Sequence, residues 1–268
     1  KYEKEFINCI SKEEKPSFHL CAPIGWINDP NGFSTFNNEY HLFYQYHPYD
    51  VVWGPMYWGH SKTNDFIKWE QLPIALAPEA SYDMGGCFSG SALEYDGKHV
   101  IMYTGVLDNK DENGERVVRQ TQCIAIGDGE NYEKLECNPV ITHEMLPEGS
   151  SLEDFRDPKI WREGEEFYCV VASRSNDGSG QILMYKSNNL KVRIKSFCNN
   201  NSGFCPSSKF NTPSSIKKTP ISSSSQNAVA ASNASKPSRE MAFPCGAVRN
   251  KNASFIMSPP DLLLMPSP

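Results

Sequence analysis

At 268 residues the chain is long enough for one large domain or two ordinary ones, and for a substantial core. Its formal charge of −6 conceals a split: residues 191–268 carry ten Lys/Arg against only Glu240 and Asp261, which leaves 16 basic and 30 acidic side chains in residues 1–190. An acidic body excludes nucleic acid as its partner, because binding a phosphate backbone relies on Lys/Arg, and it is compatible with a neutral substrate.

Residues 1–15 place charged side chains around Phe6, Ile7 and Ile10, which predicts a short amphipathic helix. After Pro16 the chain changes to short aromatic and β-branched runs cut by Gly, Pro, Asn and Asp: "YHLFYQY" (40–46), "HVIMYTGV" (99–106) and "EFYCVVAS" (166–173). Their lengths and turn punctuation predict strands, and with no helical stretch between them up to residue 190 a βαβ architecture is excluded. The expected fold class is therefore all-β.

Three segments share one plan: "NDPNGFSTFNNEYHLFYQY", "FSGSALEYDGKHVIMYTGV" and "FRDPKIWREGEEFYCVVAS". Each has a polar turn motif, a short apolar strand, a turn (Asn37-Asn38, Asp96-Gly97, Glu163-Gly164) and a longer apolar strand. The steps from Gly32 to Gly90 and on to Pro158 are 58 and 68 residues. A repeating all-β unit of that size predicts four-stranded propeller blades, with unrelated sandwich hairpins as the alternative. Residues 16–190 then form a partial β-propeller of about three blades. Residues 191–268 hold sixteen Ser and nine Pro and no Trp or Tyr. They are expected to be a disordered basic tail, natural or out of frame with the body, with the break near Leu190.

The nine cysteines form no Cys-x-x-Cys pair and no zinc-spaced Cys/His cluster, so they are expected to be reduced thiols in a cytoplasm. No signal peptide is visible, "DLLLM" near the end is too short to span a bilayer, and the Lys1 start implies a lost upstream segment. No metal, cofactor or membrane partner is expected.

Two aspartates carry the chemistry. Asp29 in "GWINDPNGF" and Asp157 in "FRDPKIW" both precede proline, 128 positions apart. A residue before proline is pushed towards extended backbone, so both carboxylates are expected at strand ends in strand-like φ/ψ. Equivalent motifs on different blades face one axis, where distant residues converge. Paired carboxylates in an aromatic cleft suit glycosidic bond cleavage through an oxocarbenium-like transition state. Trp26, Phe33, Trp53, Trp58 and Phe88 are candidates to stack on a sugar, although Trp53 and Trp58 fit a core or edge role equally well. Arg156 can bind hydroxyls and favour ionised carboxylates nearby. Gln45 either serves the site or satisfies a backbone group. His41, His47 and His60 lack catalytic or metal spacing and are expected to be structural. "SGS" at 89–91 has no nucleophile-elbow pattern.

"WINDPNG", "HLFYQYHP", "WGHSKTNDFIKWEQLP", "FSGSA" and "FRDPK", in that order, closely resemble the glycoside hydrolase family 32 enzymes, the invertase-type β-fructofuranosidases, over about residues 16–190. The resemblance implies a five-bladed propeller followed by a β-sandwich, and retaining cleavage of terminal β-D-fructofuranosyl bonds in a small sugar such as sucrose, sucrose-6-phosphate or a short fructan. By motif it makes Asp29 the nucleophile and Asp157 the transition-state stabiliser, acting with Arg156. It places Asn28, Gln45, Trp53, Phe88 and Ser89 in the fructose pocket. The family's acid/base glutamate lies in a Glu-Cys motif after the Arg-Asp-Pro block, and no Glu-Cys follows Asp157 here. Glu136-Cys137 comes before it and Glu240 has the wrong neighbours, so the acid/base stays unknown and this chain is expected to be a fragment with little activity. The other readings are a non-catalytic carbohydrate-binding relic of the fold and an inverting, arabinan-cleaving propeller.

Overall fold

The computed structural model describes residues 2–9, 11 and 15–190, and the backbone of Lys195–Cys198. A helix, α1 (Tyr2–Phe6), continues as a 3-10 turn (Ile7–Cys9). Twelve strands follow among the described residues, in three sheets of four. Blade 1 is β1 (Trp26–Phe36), β2 (Glu39–His47), β3 (Tyr57–Thr63) and β4 (Glu70–Leu76). Blade 2 is β5 (Gly86–Tyr95), β6 (Lys98–Lys110), β7 (Arg116–Gly127) and β8 (Tyr132–Lys134). Blade 3 is β9 (Ser150–Glu163), β10 (Glu166–Ser175), β11 (Gly180–Ser187) and β12 (Lys195–Cys198). Each is an antiparallel meander with its strands in chain order, and the three are consecutive blades of a β-propeller. β12 lies beyond the boundary expected near Leu190; residues 199–268, where the expected tail falls, lie outside the described residues.

The turns explain the meanders. Asn37-Asn38 and Asp96-Gly97 form two-residue hairpins in which both central residues have positive φ (49° and 64°, 52° and 66°). That is a type I′ turn, whose twist matches the flanking strands. The third hairpin turns one residue later than expected, at Gly164-Glu165, because Glu163 pairs with Glu166 and Gly164 takes φ +60°.

Blade 2 is buried on both faces. In β6 every residue from His99 to Val106 is buried, which is why "HVIMYTGV" reads as a continuous apolar run rather than an alternation. Successive side chains point to opposite faces of a strand. Val100 and Met102 therefore join a core with Phe155, Ile160, Phe167 and Val171 of blade 3. Ile101 and Tyr103 join Phe43 and Trp58 of blade 1.

A buried histidine cluster fills the seam between blades 1 and 2. His41 Nδ1 and His60 Nε2 are 2.9 Å apart, and both rings lie among Phe36, Phe43 and Tyr132. His99 stacks on Phe36 and holds Ser34 Oγ at 2.9 Å through Nε2 and Tyr132 OH at 2.7 Å through Nδ1. The Ser34 hydroxyl donates to the Gly32 carbonyl, so Nε2–H of a neutral His99 donates to Ser34 while Nδ1 accepts from Tyr132. Burial, reinforced by the neighbouring His41, drives His60 down to about 2 and His99 down to about 3. A histidine kept neutral in the fold binds its proton only on unfolding. Its stabilisation is therefore complete above the ordinary value of 6.5 and is lost as pH falls below it, towards 3. We expect a loss of about 2–3 kcal/mol per histidine between pH 7 and about pH 4.5. Urea unfolding midpoints at the two pH values check this: the drop should shrink in His99→Gln, and an unchanged midpoint in the wild type contradicts it.

Candidate active site

The first strand of every blade is broken at the same place. In β1, Asn28 and Asp29 together oppose the single Gln45, since Ile27 pairs with Tyr46 and Pro30 with Tyr44. In β5, Ser89 is the extra residue between the pairs Phe88–Thr104 and Gly90–Tyr103. In β9, Asp157 and Pro158 oppose Val171 alone. A β-bulge of this kind bends the strand and re-aims a side chain. β1 packs on β5 and β5 on β9, so the three bulges lie on neighbouring strands. Gly90 follows from its bulge: a Cβ there would overlap the Met102 carbonyl oxygen.

The expected extended backbone does not hold at Asp157, whose φ is +62°. Asp is one of the few residues besides Gly that enter the left-handed region, and the two-against-one register requires the departure from regular strand geometry. Its amide N–H donates to Thr104 Oγ1 at 3.2 Å. The side chain reaches solvent, yet enough protein surrounds the carboxylate for desolvation to raise its pKa. Arg156 pulls it down, and the negative charge of Asp29 pushes it up again. The two aspartates thus feel one another across blades 1 and 3.

The other predicted residues gather at these bulges. Asn28 Oδ1 accepts from Trp26 Nε1 at 2.7 Å. Gln45, buried opposite the first bulge, donates from Nε2 to the Cys87 carbonyl at 3.0 Å and so ties blade 1 to blade 2. Phe88 and Ser89 are half-buried at the second bulge. Trp53, exposed on the β2–β3 loop, meets Phe88 edge-on with ring centroids 6.2 Å apart. The Arg156 guanidinium donates to Gln120 Oε1 and the Glu153 carbonyl from Nη1 and to Asp154 Oδ1 from Nη2, all at 3.0–3.1 Å.

Two of the aromatic candidates are elsewhere. Trp58 is fully buried in the core between blades 1 and 2, with its indole N–H donating to the Phe88 carbonyl at 3.1 Å, so it supports the site from behind and offers no face to a ligand. Phe33 stacks on Tyr40 and touches Phe66 beside the first hairpin. Glu136 is exposed in the turn after β8, at the outer edge of blade 2, away from the inner strands. Among the described residues there is no group of three side chains suited to hold a metal, and no helix is long and apolar enough to cross a membrane. The sequence reading missed Ser91, Thr104, Gln120, Gln122 and Asp154. For Thr104, Gln120 and Gln122 the one signal is a polar side chain interrupting an apolar strand, as in "MYTG" and "RQTQCIAI".

The bulged inner strands of three neighbouring blades thus carry Asp29, Ser89 and Asp157, with the Trp53–Phe88 ring pair beside the second of them. The model of the glycosyl hydrolases family 32 N-terminal domain matches residues 19–200, and the chain belongs to that family. It is 42% identical over 202 residues to a sucrose-6-phosphate hydrolase of Zymomonas mobilis subsp. mobilis, covering 72% of this chain and 38% of that protein. It is 44% identical over 177 residues to the sucrose-6-phosphate hydrolase of Escherichia coli, covering 66% and 36%. The solved Bombyx mori GH32 beta-fructofuranosidase BmSUC1 superposes with a TM-score of 0.65 at 40% identity, covering 74% of this chain and 40% of that one. A mutant of the same enzyme in complex with sucrose gives 0.64 at 40% identity, covering 73% and 39%. The chain therefore spans about two fifths of the length of the relatives it matches.

Proposed function

We propose that the inner face of these blades binds a terminal β-D-fructofuranosyl unit of sucrose or sucrose-6-phosphate and cleaves its glycosidic bond with retention. The observation that supports this most is the pair of bulge-mounted carboxylates, Asp29 and Asp157, close enough for one charge to raise the pKa of the other. Asp29 attacks the anomeric carbon and forms a covalent fructosyl ester. Asp157, with Arg156 beside it, binds the ring hydroxyls. The electrostatics suit that division: once Asp29 is esterified its charge is gone, the push on Asp157 is relieved, and the ionised form becomes easier to reach as positive charge develops on the sugar. Asn28, Gln45 and Ser89 line the pocket, and Trp53 with Phe88 forms its aromatic rim. The names of the relatives support a sucrose-type substrate, and the odd, scattered set of nine cysteines supports a reducing cytoplasm as its compartment.

Retention also needs an acid/base carboxyl about 5–5.5 Å from the nucleophile. Glu136 does not supply it from the outer edge of blade 2, and the role stays unassigned in this chain. Missing acid catalysis lowers the rate by on the order of 10²–10⁴ for a poor leaving group and far less for one that departs as a stable anion. The test is therefore p-nitrophenyl β-D-fructofuranoside beside sucrose. We expect nitrophenolate release with a protein-bound fructosyl group seen by mass spectrometry, and slow or undetectable sucrose turnover. Neither release nor adduct, with no fructose binding by calorimetry, would leave the reading without support. Binding without either would favour the carbohydrate-binding relic.

A further inference from the structure

We infer that four side chains of blade 2, Ser91, Thr104, Gln120 and Gln122, form a positioning device that holds Asp157 of blade 3 in its left-handed conformation, with the Thr104–Gln122 pair at its centre. The proposal rests on the functional reading above for what Asp157 does, and on geometry for how it is held. A residue before proline and within a strand has two reasons to be extended, and Asp157 is not. Something must hold it there, and its own blade does not, because the ladder to β10 is interrupted at this bulge.

The missing ladder is replaced from across the seam. Gln120 Oε1 accepts from the Phe155 N–H at 3.1 Å, and the Phe155 carbonyl accepts from Gln122 Nε2 at 2.7 Å. Thr104 Oγ1 accepts from the Asp157 N–H at 3.2 Å and donates to Gln122 Oε1 at 2.8 Å, which closes a loop around the bulge. Ser91 Oγ donates to the Pro158 carbonyl at 2.8 Å and accepts from the Ile160 N–H at 2.9 Å. Backbone groups before, at and after Asp157 are thus fixed by side chains from three strands of the neighbouring blade. Gln120 also takes Arg156 Nη1 at 3.1 Å, so the same device sets the guanidinium beside the carboxylate. All four side chains are buried, Thr104 and Gln122 completely. Buried polar groups whose partners are all protein are rigid, and rigidity is what a positioning role needs. Without the Thr104 hydroxyl the Asp157 amide is orphaned, and the residue relaxes towards the extended form that Pro158 favours, which swings the carboxylate away from Asp29.

The experiment is carbon-13 NMR of aspartate carboxyls in the full chain, with the Asp157 signal assigned by Asp157→Asn. Thr104→Val keeps the shape and removes the hydroxyl. It should move the Asp157 titration down towards the ordinary carboxylate range and weaken D-fructose binding by roughly tenfold, the worth of about one hydrogen bond. Thr104→Ser should restore both, which a role confined to packing does not predict. An Asp157 titration that is the same in folded Thr104→Val as in the wild type overturns the proposal. Should that variant not fold, the wild type still decides: the Asp157 amide should exchange slowly with solvent, and exchange at the rate of an exposed amide overturns it equally. Fructose shifts in the wild type keep the two readings apart. Their absence removes the sugar reading and leaves the positioning result standing on its own.

Discussion

Asp29→Ala should abolish nitrophenolate release from p-nitrophenyl β-D-fructofuranoside and the fructosyl adduct with it, a fall on the order of 10⁴-fold or more, as expected when a covalent nucleophile is removed. The protein should fold as before, because the Asp29 side chain is exposed on the β1 bulge and belongs to none of the buried clusters. A second readout links this loss to the geometry. With the Asp29 charge gone, one of the two influences that raise Asp157 disappears while Arg156 still pulls it down, so Asp157 should titrate at lower pH in the variant. Release at the wild-type rate in Asp29→Ala would remove it as nucleophile. An unmoved Asp157 titration would show that the two carboxylates do not face each other.

The largest expected effect on stability lies outside the site. Asp83 is completely buried. Its Oδ1 accepts the backbone N–H groups of Glu79 and Ala80 at 3.1 and 2.8 Å, and its Oδ2 accepts from Tyr103 OH at 2.8 Å and Lys134 Nζ at 2.6 Å. Lys134, itself largely buried, also donates to the Ala77 carbonyl at 2.6 Å. Asp83→Ala leaves an ammonium in the interior with no counter-charge, together with a phenol and two turn amides without their acceptor. Breaking a buried ion pair in this way costs about 3–5 kcal/mol, a large part of the roughly 5–15 kcal/mol that holds an ordinary domain folded. Chemical denaturation should show that loss; a change under about 1 kcal/mol would mean that water reaches Lys134 and compensates it.

Much of the architecture was legible because its signals are local. Asn37-Asn38 and Asp96-Gly97 announce type I′ hairpins by composition, and the apolar run in β6 announces a strand covered on both faces. The matching bulges that carry Asp29 and Asp157 on the first strands of blades 1 and 3 have their sequence mark in the shared Asp-Pro motif. What stayed hidden depends on partners that no spacing names. The left-handed backbone of Asp157 arises from a bulge whose register involves β10 and whose hydrogen bonds come from β5, β6 and β7. Trp58 stayed open between a stacking ring and a core aromatic, because one sequence cannot tell whether an aromatic beside Gly59 faces a cavity or the next blade. His41 and His60, expected to be structural, are buried in the core, but their meeting with His99 required three strands from two sheets. Asp83, in the loop-like "ASYDMGG", carried no mark of its buried partners.

The bulge of blade 3 is fastened by side chains of blade 2, and Gln45 of blade 1 in turn grips the main chain of blade 2. The modular unit of this fold is therefore the joint between neighbouring blades. A chimera that imports a blade from a relative without the adjoining face would bring in the aspartate but leave behind the hands that hold it, and active hybrids should cross over within a blade, between its inner and outer strands, sooner than between blades.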